Sequence, residues 1–359
     1  MAGVFRFSNA VSDIDKIVDT YKKIYAHFID MTGDGQYFDH SQAAEFLAMN
    51  GLASSLGAIG ATALSRSVRE DKSRDPLYNQ HKSYSEMFRM LGWYEPGSMQ
   101  TNFKLSEYGS YIAETTDNAV IKKLLSMNVL HIVSPNPLTK VKGGNTLRPF
   151  PMILKLMLKL DGIITRDEII AGVLCCQNDK VENIVDNTAD MIRECRQNGI
   201  EAIENVIMRI RQEQNLGSPA TLQNYTRFPI AVMKWADWVN GVNMKGVYGD
   251  SSIKVLKLTK KGAEVANSIS DIPDVRYEDI EHYPKNMIGA FVALSNLTKL
   301  AYAGFEFGDY LDLLPSLRRL CSPILKEHKI VDDRYLFFGY QEVPRELLAA
   351  ADEVLETIE

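Results

Sequence analysis

The chain has 359 residues, 45% of them hydrophobic and 24% charged, a composition that excludes a mostly disordered or membrane-embedded protein and leaves room for two or three domains. The net charge of −6 excludes a uniformly basic nucleic-acid binder, yet most of the acidity sits in residues 271–359, so the earlier chain is near neutral and can present local basic faces. No apolar run reaches the ~18 residues of a membrane span, and Met1 to Phe7 lack the basic-then-apolar layout of a secretory signal; the expected location is the cytoplasm.

From the N-terminus, Ile14, Ile17, Val18, Tyr21, Ile24, Tyr25 and Phe28 recur at helical spacing, which predicts an amphipathic helix over 12–28 with Ser12 as its cap and Asp15 in its first turn. Gly33 and Gly35 break the chain, and Asp39 or Ser41 can cap a helix over 43–49. The small-residue stretch 51–63 carries no clear pattern. The basic run 66–74 ends at Asp75-Pro76, a turn signal. A helix over 83–91 then leads through Gly92 to a hairpin over 93–105 around Glu95-Pro96-Gly97-Ser98. Helix, glycine, hairpin is the layout of a winged helix.

That layout recurs. Met87 to Tyr94 leads, after a polar turn, to Leu105-Ser106-Glu107-Tyr108-Gly109; Met233 to Val239 leads, through Gly246 and Gly249, to Leu258-Thr259-Lys260-Lys261-Gly262. In the shared Leu-Ser/Thr-x-x-Gly end, the leucine closes the hairpin onto the core and the hydroxyl of Ser106 or Thr259 caps the next helix. The glycine falls where close packing against the hairpin would require it. Between the copies, an apolar helix over 149–160 starts at Pro149 or Pro151. Thr165 and Glu168 then form a capping box for a helix over 169–176. Helices over 181–197 and 200–214 look inserted before Gly217-Ser218-Pro219. After Ser270 a third, smaller domain is expected, helical or winged. The fold class is therefore mainly α with short β-hairpins, in tandem winged-helix modules over 1–130 and 131–270, with 271–359 beyond.

Several chemistries lack their residues. The adjacent Cys175-Cys176, with Cys195 and Cys321, offers neither a disulfide framework nor the C-x-x-C pairs of a zinc site. No G-x-x-x-x-G-K-[ST] loop, H-x-x-x-H pair or G-x-S-x-G elbow occurs. Trp235 and Trp238, three apart on a helix, read as core rather than as a base-stacking platform.

Taken in order, the segments Met87–Gly109, Ala119–Leu130, Arg148-Pro149-Phe150-Pro151 through Ile169, Tyr225–Val239 and Leu258–Gly262 resemble the recognition regions of FokI-type and AlwI-type type IIS restriction and nicking endonucleases, over residues 80–270. The resemblance implies winged-helix subdomains that read a short asymmetric double-stranded DNA site, as a monomer. It also implies a separate nuclease with a PD-(D/E)xK centre that holds magnesium. Here the nearest match is Glu327-His328-Lys329, with Asp309 or Asp312. Its setting is a helix end rather than a buried strand, so Glu327 and Lys329 are weak catalytic candidates, and no metal site or cofactor is expected in the chain itself. Cleavage is expected from a nuclease partner or another domain.

Asn79, Gln80, Lys82 and Ser83 precede the first module's helix, and Thr221, Gln223, Asn224 and Arg227 the second's. Residues of these types at a recognition-helix N-terminus make hydrogen bonds to base edges. Arg66, Arg69, Lys72, Arg74, Lys140, Lys142 and Arg148 suit phosphate contacts. Two other functions stay open: a winged-helix transcriptional regulator that uses the same modules, and a compact nuclease centred on Glu327 and Lys329.

Overall fold

In the computed structural model the described residues are 3–8, 12–67, 75–96, 101–130, 132–134, 145–216 and 218–269. They fall into two units, one over Asp13–Ile121 and the other joining the N-terminal residues to the chain from Lys122 onward. This division falls at 121/122 where the sequence suggests 130/131, and residues 3–8 group with the second unit. Phe5 and Phe7 explain the latter, being buried there, with the Phe7 ring 5.7 Å from both Phe150 and Phe228. The domain expected over 271–359 lies outside the described residues.

In the first unit, α1 (Ile14–Gly33) is capped by Asp13, whose carboxylate accepts from the Lys16 amide at 3.1 Å, rather than by Ser12. After β1 (Phe38–Asp39), Asp39 caps α2 (His40–Met49) and Gln42 closes the capping box. The stretch without a pattern contains a tight turn, Ser55 and Ala58 exchanging two backbone bonds of 2.9 Å around Leu56 and Gly57, and then α3 (Gly60–Arg66). Next, α4 (Pro76–Met90) begins well before the expected Ser83. Asp75 caps it and Pro76 occupies its first turn, so the Asp-Pro pair is a helix start and not a loop. The hairpin β2 (Tyr94–Pro96) and β3 (Asn102–Leu105) leads into α5 (Glu107–Glu114). The sheet order is β1-β3-β2, all antiparallel.

α6 (Asn118–Val129) runs into the second unit, where α7 (Pro149–Lys159), β4 (Ile163–Ile164) and α8 (Arg166–Ile169) follow. The Thr165–Glu168 capping box is formed as expected. A π-helical turn, Ile170–Leu174, extends α8; the inserted pair is α9 (Ile184–Asn198) and α10 (Ile200–Glu213). Then come α11 (Pro219–Tyr225), α12 (Arg227–Trp235), the hairpin β5 (Val239–Met244) and β6 (Ile253–Leu258), and α13 (Lys260–Ser268). The sheet order is β4-β6-β5, so the first, third and second strands of the unit lie side by side as in the other unit.

The repeat extends to single atoms. The Trp93 amide donates to the Phe88 carbonyl at 2.7 Å, and the Trp238 amide to that of Met233 at 2.9 Å. Each tryptophan carbonyl then accepts, at 3.0 Å, from the amide of the capping residue, Ser106 or Thr259. The hydroxyl of that residue accepts from the Gly109 or Gly262 amide, at 2.9 Å in both. Both tryptophans are buried, and the residue before each, Gly92 or Asp237, has a positive φ.

His81 fastens α4 to α2 through a buried 2.8 Å contact between its Nδ1 and that of His40. Two neutral rings satisfy this contact, one donating and one accepting, and a proton on the accepting Nδ1 would set two donors face to face. Burial, then His40, then Arg89, hold the His81 imidazole well below its ordinary value of 6.5. An unfolded chain therefore takes up this proton first as pH falls. His81 contributes stability that is complete above pH 6.5 and is lost below it, by at most about 1.4 kcal/mol per pH unit. Urea unfolding followed by hydrogen exchange of α4 peptides should show a midpoint that falls between pH 7.5 and 5. His81→Phe should flatten that dependence, and an equally steep fall in the variant would contradict the assignment.

Candidate nucleic-acid interface

On α4, burial of Leu77, His81, Tyr84 and Phe88 turns the opposite side outward, where Asn79 and Lys82 are exposed and Ser83 half-exposed. These residues are three and four apart and so share one face. They sit within the helix, not before it, because Asp75 starts it early. Gln80 departs from the expected set: its amide donates to the Ser54 carbonyl at 2.6 Å and its oxygen accepts from the Ser54 amide at 3.3 Å. That amide is committed to holding the 54–58 turn, which sets Gln80 apart from the other residues expected to contact bases.

On the second unit, Ser218 caps α11 with Pro219 behind it. Gln223 is exposed, Thr221 and Asn224 are half-exposed, and Arg227, exposed, opens α12. The two helices meet at Thr226, whose buried hydroxyl donates to the Gln223 carbonyl at 2.7 Å. This bond ends α11 and frees the chain to change direction, so Gln223 and Arg227 flank a corner. Trp238 lies in the core as expected; Trp235 is half-buried, with the Lys122 ammonium 5.7 Å from its ring centroid.

Arg66, exposed at the end of α3, reaches the Leu56 carbonyl at 3.4 Å. Arg148 is a correction: it is buried, donating to the Leu130 carbonyl at 3.2 Å, and its charge is not offered to a phosphate. Arg69, Lys72, Arg74, Lys140 and Lys142 lie outside the described residues, as do Glu327 and Lys329.

Two cations that the sequence did not single out, Lys234 and Lys254, meet on the second hairpin, and a third, Arg166, lies within electrostatic reach of Lys234. A Cβ built on Gly241 of β5 would lie 3.0 Å from the Lys234 Nζ and 3.9 Å from the Lys254 Cε. Burial, then Lys254 and Arg166, lower the Lys234 ammonium below its ordinary value. The three come from α8, α12 and β6, and no local pattern announces their meeting.

The same unit contains a buried ionic network. Glu168, fully buried, accepts from Arg196 Nε at 2.8 Å and the Tyr248 hydroxyl at 2.8 Å on one oxygen. Its other oxygen accepts from the Thr165 amide at 2.7 Å and the terminal guanidinium nitrogen of Arg196 at 3.0 Å. Burial and the Glu168 carboxylate push the Tyr248 phenol far above its usual range, so it remains a donor. Tyr248 belongs to the segment joining β5 and β6, so the network ties that segment to α8 and α9.

Among the described residues no group of three or more His, Cys, Asp and Glu side chains is placed to hold a metal ion, and no helix is long and apolar enough to cross a membrane. No protein-family model and no curated protein matches the sequence. Among solved structures the chain is similar to the restriction endonuclease FokI, at a TM-score of 0.39 and 12% identity. The similarity covers 98% of this chain and 61% of that one, so this chain spans less than two thirds of its length.

Proposed function

We propose that the two units are tandem winged-helix modules and that the chain is the sequence-specific double-stranded DNA recognition part of a type IIS-like restriction endonuclease. The observation that carries this reading is the element order met twice. In each unit a helix, a strand and a second helix precede a helix that enters a hairpin, and the three strands pair in the order first, third, second. In that order the helix entering the hairpin is the one that lies in the major groove. Here it is α4, with Asn79, Lys82 and Ser83 outward, and α12, which Arg227 opens at the corner where α11 ends with Gln223 and Asn224. The modules differ by the α9–α10 insertion, so one chain offers two unlike surfaces, which suits a monomer on an asymmetric site. Cleavage is assigned to a nuclease partner or a domain elsewhere, and magnesium would act there; Glu327 and Lys329 are given no step.

Gln223→Ala and Arg227→Ala should each relax base preference by about 1–3 kcal/mol per lost paired contact, measured by anisotropy on a preferred site and on scrambled DNA. Arg66→Ala should weaken binding to both DNAs alike and flatten its salt dependence. If the first two variants lost specific and non-specific affinity equally, their role as base readers would be wrong.

A further inference from the structure

Arg166, Lys234 and Lys254 form no ion pair among the described residues, although acidic side chains outnumber basic ones in the chain as a whole. Their surroundings are specific. Lys234 is half-buried, and its ammonium lies against Gly241, the one residue type whose missing side chain leaves it room. Lys254 crosses the same point from the neighbouring strand, where it pairs with Asn243. Arg166, exposed, adds a third positive charge from the start of α8. The lowered ammonium of Lys234 reports mutual repulsion on top of burial, an unfavourable arrangement that an anion would relieve.

The position of the cluster indicates which anion. Arg227, Ala231 and Lys234 are spaced i, i+4, i+7 and share one face of α12, so the stripe that opens with the exposed Arg227 ends at the cluster. The second helix of such a module crosses the phosphate backbone beside the groove its neighbour reads, and Arg166 is the first residue of that helix. We infer that Arg166, Lys234 and Lys254 together hold one backbone phosphate of the bound nucleic acid, at the base of the second hairpin. This assignment of a phosphate-diester site rests on the DNA-recognition reading above; the affinity of the cluster for phosphate as such does not.

Two measurements on the full chain separate these claims. In the first, affinity for a duplex is followed against KCl concentration for the wild type, Lys234→Gln, Lys254→Gln and, as a control for net charge, Lys23→Gln, which removes an exposed cation of the other unit. Either cluster variant should lower affinity several-fold at fixed salt and reduce the slope of log K against log[KCl] by up to about 0.9, the value for complete loss of the one phosphate contact that the cluster shares. Lys23→Gln should match the wild type. In the second, the melting temperature is compared in inorganic phosphate and in chloride of equal ionic strength. A rise in phosphate that Lys234→Gln abolishes would establish the anion site by itself. If the wild type bound no duplex but showed that rise, the nucleic-acid reading would fail and the cluster would be a site for free phosphate or a small phosphoester. A changed DNA slope without a response to free phosphate would assign the site to the diester alone. Slopes and melting temperatures of both cluster variants indistinguishable from Lys23→Gln would overturn the inference.

Discussion

Glu168→Ala should destabilise the second unit by about 3–5 kcal/mol, the cost of removing one partner from a buried, hydrogen-bonded ion pair. The wild-type carboxylate has no exposure and receives four hydrogen bonds, so its removal leaves the Arg196 guanidinium, 17% exposed, without its counter-charge. The Tyr248 hydroxyl loses its acceptor and the Thr165 amide its cap. Glu168→Gln keeps an acceptor of similar shape and should cost less. The effect should also be local: hydrogen exchange in the 245–252 segment should accelerate more than in α7, because Tyr248 is the tie between that segment and α8. A loss under about 1 kcal/mol, typical of an exposed pair, would mean that water replaces the network readily.

The second large effect has a sign that intrinsic preference gets wrong. Alanine normally stabilises a helix by about 0.5–1 kcal/mol over glycine, yet Gly109→Ala and Gly262→Ala should each destabilise by about 2 kcal/mol or more. A Cβ on Gly109 would stand 2.5 Å from the Trp93 carbonyl oxygen and would overlap the Tyr21 hydroxyl. One on Gly262 would overlap the Trp238 carbonyl oxygen and stand 2.8 Å from its carbon. The obstacle in both is backbone, already fixed by the bond from the capping residue's amide, so it cannot swing aside. Thermal unfolding of the two variants reads the sign directly, and a stabilised variant would mean that the junction is looser than its hydrogen bonds describe.

The features legible in the sequence are those written within a few residues. The Leu-Ser/Thr-x-x-Gly end was readable because its cap and its close approach are both local, and the capping box at Thr165 and Glu168 for the same reason. The start of α4 was misplaced because Asp followed by Pro serves equally as a turn and as a helix cap with its first residue, and only the packing of Leu77 and His81 decides between them. Arg148 misleads for a related reason: a basic residue before a proline looks exposed, and nothing nearby in the sequence says that its guanidinium turns inward to Leu130. Gln80 was lost to a turn 26 residues upstream, and Arg196 and Tyr248 reach Glu168 from 28 and 80 residues away. The Arg166, Lys234 and Lys254 cluster depends on strand register, which no local sequence pattern specifies.

In the proposed function the two modules of one chain read a single DNA site. Selection of bound duplexes from a random pool, with the purified full chain, tests it most directly. Enrichment of a contiguous motif without two-fold symmetry is the predicted result, since α4 and the α11–α12 corner present different side chains. Enrichment of an inverted repeat would point instead to a symmetric dimer of the regulator kind, and a pool that stays random after repeated rounds would contradict sequence-specific recognition altogether.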